Sequence, residues 1–193
     1  EFWTTLWDFH GIIGDKGDTA LQPIPQVPYA RFFPNGSLSY AENMLSYWLK
    51  NPEKTAIVYR HQGGPDRKIS GQQLCDQVSL WEQALRANGI DKNDVVGVYL
   101  TNVPETDIIL LAASNIGAIF CSAGMEMGGD DLINRFNAVQ PKILITAEGY
   151  LNGDKIIDRT STIKNVQQHI QSIQTTIHIP IAGSDRDDAP LKN

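Results

Sequence analysis

The fold is decided by residues 95–146, which open with the run Val95-Val96-Gly97-Val98-Tyr99-Leu100. This run is continuously apolar and rich in β-branched residues, as expected of a parallel strand that is covered on both faces. The predicted elements that follow are a helix from Asn102 through Asn115, strand Ala118–Ser122, helix Asp130–Val139, strand Ile143–Thr146, helix Thr162–Ile173 and strand Ile177–Ile181. Strands that alternate with helices of about 10–15 residues indicate βαβ units. We therefore predict an α/β fold, a three-layer αβα sandwich around a mainly parallel sheet.

Capping signals place the helix starts. Asn102 is predicted to cap its helix, with Pro104 in the first turn, and Asp130 to cap the helix that it opens. The pairs Ser39/Glu42 and Ser70/Gln73 fit the capping-box pattern and start two earlier helices. These two helices are predicted to present Met44, Leu45, Trp48 and Leu49, and Leu74, Val78, Trp81 and Leu85, to a core, and Gly89 is predicted to close the second.

The rest of the N-terminal half is predicted to contain less regular structure. A short amphipathic helix is expected in residues 2–9, and four prolines predict an extended arm without secondary structure from about Asp18 to Asn35. Strand Thr55–Arg60 is predicted to turn through Gly63-Gly64-Pro65-Asp66 into a hairpin with Arg67–Ile69. Each tryptophan lies on a predicted apolar helix face, so core packing is favoured over ligand stacking for Trp3, Trp7, Trp48 and Trp81. We predict three parts: N-terminal helices and a proline-rich arm that pack on the domain (1–50), an α/β subdomain (51–182) and a linker or truncated end (183–193).

Composition excludes several classes of protein. The net charge is −6, with no cluster of basic residues, which argues against a nucleic-acid binder. The longest apolar stretches are too short to cross a membrane. Only Cys75 and Cys121 are present, so we expect buried, reduced thiols in a cytoplasmic protein. The chain begins with Glu1 and is expected to be a piece of a longer protein.

Motifs that bind phosphate or metal are missing from the sequence. Neither Gly63-Gly64 nor Gly128-Gly129 fits a phosphate-loop pattern, although Gly128-Gly129 precedes a predicted helix N-terminus, where anions can bind. A tight turn is the favoured reading of that pair, with phosphate binding as the alternative. The four histidines are far apart and form no metal-ligand pattern. Taken alone, the residues predict an α/β scaffold without catalytic residues or a metal site.

Several segments together resemble the N-terminal part of the acetyl-CoA synthetase-like adenylate-forming enzymes, and most closely their acetoacetate-activating branch. They are Phe2-Trp3 through Ile12, Arg31-Phe32-Phe33, Leu38 through Leu45, Val96 through Asn102, Ala112 through Phe120, Asn134-Arg135-Phe136 and Gln140-Pro141-Lys142. The resemblance extends to about Ile181, and Tyr40-Ala41-Glu42-Asn43-Met44-Leu45 is its most specific segment.

The resemblance implies a ligase that joins a carboxylic acid, with acetoacetate as the expected substrate, to CoA at the expense of ATP and with magnesium. It implies that the ATP loop and the catalytic lysine lie further along the chain, so this part should be inactive alone and depend on the remainder of its own chain. Two loops, Gly124–Gly129 and Gly149–Lys155, would form part of the wall for the CoA nucleotide, which gives Gly128, Gly129, Asn152, Gly153 and Lys155 as candidate binding residues. A simple turn at Asn152-Gly153 is the alternative. The competing function is a non-catalytic, flavodoxin-like binding module.

Overall fold

The computed structural model describes residues 1–25, 30–61, 66–153 and 155–180. The predicted turn at Gly63-Gly64-Pro65 and the predicted linker at 183–193 lie outside the described residues. In chain order the elements are α1 (Phe2–Phe9), β1 (Gly14–Asp15), β2 (Leu21–Pro23), β3 (Ala30–Phe32), β4 (Ser37–Leu38), α2 (Tyr40–Lys50), β5 (Thr55–Tyr59), β6 (Arg67–Ser70), α3 (Gly71–Ala87), β7 (Val95–Tyr99), α4 (Pro104–Ile116), β8 (Ile119–Ala123), α5 (Gly129–Val139), β9 (Ile143–Thr146), β10 (Gly149–Asn152), β11 (Lys155–Asp158), α6 (Thr160–His169) and β12 (Thr175–His178).

Four parallel strands form the central sheet in the order β12-β9-β7-β8. Strand β7 pairs with β8 on one side and with β9 on the other, so the chain reverses its direction of travel across the sheet after β8. Because crossovers between parallel strands are right-handed, this reversal puts α4 on one face and α5 and α6 on the other. The predicted α/β sandwich with a parallel sheet is confirmed.

The core lies between the two central strands and the helices that cover them. Val96, Val98, Ile143 and Ile145 are fully buried, as is Ile108 of α4. At Gly97 a Cβ would lie 2.9 Å from the ring Cβ of Pro141, so the glycine allows the segment before β9 to pack closely against β7. The apolar run that predicted a strand covered on both faces is thus the centre of the molecule.

The structure confirms some of the predicted helix caps and contradicts others. Ser70 and Gln73 form the complete capping box of α3, and Gly89 adopts φ 75° just after that helix, as predicted. At α2, Ser39 Oγ accepts from the Glu42 amide, which is the first half of the predicted box. Two predicted caps are wrong.

The cap position of α4 is Val103 and not Asn102, because Pro104 takes the first helical position and the residue before a proline favours extended geometry. The cap position of α5 is Gly128 and not Asp130, which lies in the first turn, where its charge matches the helix dipole.

The N-terminal part contains more secondary structure than its prolines predicted. Strands β2 and β3 pair antiparallel within the predicted extended arm, and β1 pairs with β4. Pro23 has no backbone N–H to donate. The end of an isolated two-stranded ribbon tolerates it, because no further strand of the described residues pairs there. The prediction that this arm contains no secondary structure is wrong.

The predicted core positions of the N-terminal helices are only partly correct. Helix α1 has no buried residue, and Trp3 is 45% exposed and rests on Phe32 at a ring distance of 5.1 Å. Trp81 is buried as predicted. On α2, Leu45 and Trp48 pack against the core, whereas Met44 and Leu49 are exposed and Ala41 is the buried residue. The helical period located the apolar stripe, but the docking angle of the short helix decided which residues it buries.

The last helix begins and ends earlier than predicted. Asp158 Oδ1 accepts from the Thr160 amide at 2.7 Å, which starts α6 at Thr160. The helix ends at His169, so β12 can begin at Thr175 and pair with β9.

Both cysteines are free but only partly buried, and burial raises the pKa of each thiol. A search of the described residues finds no helix with the length and apolar character needed to span a bilayer.

Candidate functional site

A cavity of about 380 Å³ opens at the carboxyl ends of the parallel strands. Residues that follow all four strands of the sheet line it, together with the end of β5 and strand β10. The lining residues are Tyr59, Arg60, His61, Leu100, Thr101, Asn102, Val103, Glu126, Ala147, Gly149, Tyr150, Leu151, Asn152, Gly153, Ile179 and Pro180. In open parallel sheets ligands bind outside the carboxyl ends of the strands where the strand order reverses, which here is between β7 and β9. The cavity is therefore the candidate binding site.

The loop after β8 forms one wall of the cavity, and the buried Tyr99 holds it in place. The hydroxyl of Tyr99 lies 3.0 Å from the Met125 carbonyl oxygen and 3.1 Å from that of Met127. Met125 is itself buried, so the backbone on both sides of Glu126 is fixed. Glu126 is exposed and lines the cavity, which places a carboxylate in this wall.

A second wall is the β10–β11 hairpin, in which Gly149 pairs with Asp158 and Asn152 with Lys155. The predicted loop Gly149–Lys155 is therefore a strand, a turn and the start of a second strand, because Gly153 adopts φ 62° and allows the tight reversal. Tyr150 faces Arg159, whose guanidinium carbon lies 5.5 Å from the ring centroid. This wall contributes Tyr150 and Asn152 to the lining of the cavity.

The end of β5 supplies the third wall. The rings of Tyr59 and His61 stack at a centroid distance of 5.4 Å. Arg60 Nε donates to Asp66 Oδ2 at 2.9 Å, and its side chain is largely exposed. The cavity thus combines aromatic rings, amide groups and charges of both signs, a lining suited to a polar ligand with a planar ring.

Electrostatics favours neutral Tyr99 as a hydrogen-bond donor. Burial raises the pKa of its phenol, and the nearby Arg159 offsets only part of that effect. The hydroxyl therefore stays protonated at neutral pH and donates to the two backbone carbonyls. Within residues 1–25, 30–61, 66–153 and 155–180, no three carboxylate, histidine or cysteine groups are placed to hold a metal ion, so we assign no magnesium ligand to them.

The cavity brings together two of the five candidate binding residues. Asn152 and Gly153 line it, at the turn of the β10–β11 hairpin. Lys155 begins β11 and is exposed, outside the lining. Gly128 and Gly129 stand at the N-terminus of α5, also outside the lining, and a Cβ at Gly129 would lie 3.8 Å from Thr162. Their roles stay predictions.

Sequence reasoning missed most of the residues that form the cavity. Thr101 and Asn102 directly follow β7, and Ala147 directly follows β9, so the ends of the predicted strands were the available signal. Glu126 lies within the loop Gly124–Gly129 that was predicted to form part of the wall, but it was not named as a candidate residue. No local pattern marks Arg60 or Arg159, since their part in the site depends on how β5 and the β10–β11 hairpin pack beside the sheet.

Comparison with known proteins agrees with this fold. Residues 46–192 match the AMP-binding enzyme family. The chain is 33% identical over 189 residues to the acetoacetyl-coenzyme A synthetase of Rhizobium meliloti (strain 1021), covering 98% of this chain and 28% of that protein. It is 30% identical over 185 residues to the acetoacetyl-CoA synthetase of Xenopus tropicalis, covering 93% and 27%.

A solved structure gives the same result in three dimensions. The acetoacetyl-CoA synthetase from Streptomyces lividans superposes with a TM-score of 0.88 at 28% sequence identity, covering 97% of this chain and 29% of that one. The chain thus spans 27–29% of the length of these relatives. The family match covers most of the chain and includes every strand of the central sheet. We conclude that the chain belongs to the AMP-binding enzyme family.

Proposed function

We propose that this chain is the N-terminal part of an ATP-dependent acyl-CoA ligase that acts on acetoacetate. The observation that carries the proposal is the likeness to acetoacetyl-CoA synthetases along almost the whole chain. In the proposed reaction the acid carboxylate attacks the α-phosphorus of ATP, which gives an acyl-adenylate and pyrophosphate. The thiol of CoA then attacks the acyl carbon and AMP leaves.

The part of this reaction that we assign to the chain is binding of the nucleotide end of CoA. The cavity volume of about 380 Å³ falls in the range of small-molecule sites, and Tyr59 and Tyr150 offer faces on which a base can stack. Asn152 and Gly153 are proposed to contact the nucleotide, and Lys155, just after the turn, to attract a phosphate. Gly128 and Gly129 present backbone amides at the start of α5, where an anion is favoured.

We assign no catalytic residue to this chain, and the ATP loop, the catalytic lysine and magnesium binding are proposed to come from the rest of the enzyme. The residues here would orient CoA and shield it from water. The remainder of the same chain is therefore the expected partner, and the 193 residues alone are expected to have no ligase activity.

Acid-dependent ATP–pyrophosphate exchange by the full-length gene product tests the activity. Exchange with acetoacetate, exceeding that with acetate or with longer acids, is the expected result. A sample without acid is the control, since exchange must depend on formation of the acyl-adenylate. Absence of exchange with every acid would refute the ligase proposal, and a preference for acetate would refute only the choice of substrate.

The strand order also favours a second candidate, a non-catalytic binding module of flavodoxin type. In chain order the strands of the sheet run 2-1-3-4, as in flavodoxin-like proteins, whose ligand lies at the same reversal. Calorimetry with FMN, ATP and CoA separates the two. Submillimolar binding of FMN together with no ATP–pyrophosphate exchange would favour the module.

A further inference from the structure

Arg159 joins two walls of the cavity. Its Nε donates to the Met125 carbonyl oxygen at 2.8 Å, which holds the loop after β8. Its guanidinium also lies over the ring of Tyr150, and its backbone amide donates to the Glu148 carbonyl at 2.7 Å. One side chain therefore fixes the distance between the loop after β8 and the β10–β11 hairpin.

Tyr99 fixes the same loop from inside the core. It is the last residue of β7 and is fully buried, and its backbone carbonyl accepts from Thr146 Oγ1 of β9 at 2.9 Å. Its hydroxyl proton is shared between the Met125 and Met127 carbonyl oxygens. The Met125 carbonyl oxygen thus accepts hydrogen bonds from two side chains, Tyr99 and Arg159.

The effect of these two anchors is to present Glu126. Met125 is buried and Met127 is partly buried against the core, whereas Glu126 between them is exposed and lines the cavity. Its carboxylate lies over Gly124, where a Cβ would come within 2.7 Å of Oε2. Gly124 therefore leaves room for this orientation of Glu126.

A carboxylate is a poor partner for the phosphates of CoA, and this restricts what part of the ligand can lie beside it. The base of CoA is an adenine, whose exocyclic amino group donates hydrogen bonds and whose ring can stack on an aromatic side chain. Glu126 provides an acceptor and Tyr150 provides a ring on the adjacent wall.

We propose that Glu126 is a specificity-determining residue that accepts a hydrogen bond from the adenine amino group of CoA, and that Tyr99 and Arg159 are positioning residues that hold Glu126 and Tyr150 around the base. This inference rests on the proposed function, because it takes CoA as the ligand of the cavity. It concerns the second step of the reaction and leaves formation of the acyl-adenylate unchanged.

Three variants of the full-length enzyme test the proposal: Glu126→Ala, Tyr99→Phe and Arg159→Lys. Tyr99→Phe keeps the buried ring and removes the hydroxyl, and Arg159→Lys keeps the charge and removes the Nε donor. Tyr47→Phe and Arg86→Lys are matched controls, because Tyr47 bonds the surface Lys54 and Arg86 pairs with Glu82 on α3.

The ligands compared are CoA, 4′-phosphopantetheine, which lacks the adenosine, and CoA with hypoxanthine in place of adenine. Each of the three variants should raise the KM for CoA about three- to tenfold, the factor that corresponds to the loss of one hydrogen bond. The KM for phosphopantetheine, the KM for ATP and the rate of ATP–pyrophosphate exchange should not change. Glu126→Ala should also abolish the preference for CoA over the hypoxanthine analogue.

Several results would overturn the inference: an unchanged KM for CoA, an equal rise for phosphopantetheine, or a rise in the KM for ATP instead. Glu126 is exposed, so its variant is expected to fold even if Tyr99→Phe or Arg159→Lys does not. If the wild-type enzyme shows no exchange, the proposed activity is wrong, and the inference is then judged by calorimetry with CoA. Weaker CoA binding by the three variants would support it, and equal binding would overturn it.

Discussion

Replacing Gly97 by alanine should destabilise the protein at the centre of its sheet. Gly97 lies in β7 between Cys121 of β8 and Leu144 of β9, so backbone neighbours fix it on both sides. An added Cβ would lie 2.9 Å from Cβ and 3.2 Å from Cγ of Pro141, and 3.4 Å from the carbonyl oxygen of Ile143. The first distance is roughly 0.6–1 Å shorter than an optimal carbon–carbon contact.

The proline ring cannot rotate away from the new methyl group, so the strand or the segment before β9 must move. Forcing one extra carbon into a packed core costs about 1–3 kcal/mol. The lower chain entropy of alanine in the unfolded state returns about 0.4–1 kcal/mol. The difference between these two ranges is roughly 0–2.6 kcal/mol, so the free energy of unfolding should fall by about 1.3 kcal/mol, the middle of that range.

Urea unfolding followed by tryptophan fluorescence, to which the buried Trp81 contributes, measures this change. Gly129→Ala is the control, because Gly129 is the first residue of α5 and its added Cβ would meet no atom closer than 3.8 Å. That substitution should stabilise the protein by about 0.4–1 kcal/mol, because alanine lowers the entropy of the unfolded chain. If Gly97→Ala lowers the unfolding free energy by less than about 0.5 kcal/mol, the segment at Pro141 relaxes freely and the packing argument is wrong.

Two further predictions concern an ion pair and a helix cap. Lys142 Nζ donates to Asp94 Oδ2 at 2.8 Å, and this hydrogen bond lowers the pKa of the Asp94 carboxyl. The pair therefore stabilises the folded protein above the unfolded pKa of about 3.9, and this stabilisation is lost as the pH falls through the folded pKa. Asp94→Asn should lower the free energy of unfolding by less than about 1 kcal/mol at pH 7 and should leave it unchanged below the folded pKa. Urea unfolding at the two pH values measures this, and an equal loss at both would contradict the prediction. Ser70→Ala removes the hydroxyl that accepts from the Gln73 amide and should lower the midpoint of urea unfolding by an amount equivalent to about 1 kcal/mol, whereas an unchanged midpoint would show that the cap is dispensable.

The candidate site was predictable only where it follows directly from strand ends. The alternation of strands and helices fixes which loops meet at one edge of the sheet, whereas the choice of the loops after β8 and β9 as the wall of a site came from the family resemblance. A turn at Asn152-Gly153 was one of the two readings of the sequence, and Gly153 adopts the positive φ that such a turn uses. The strand pairing on either side of it was not predicted, because a loop-like sequence does not reveal it. Arg159 was missed because its contacts reach a loop 34 residues earlier.

The sequence by itself determined the α/β class, the parallel character of the central strands and the complete capping box of α3. These features follow from local period, from continuous apolar runs and from short-range hydrogen bonds, which depend on neighbouring residues alone. Only the tertiary structure decided which side chains of α1 and α2 are buried and which groups surround the cavity. Docking angles and contacts between distant segments set these features, so Tyr99, a residue of an ordinary buried strand in the sequence, supports the wall of the candidate site.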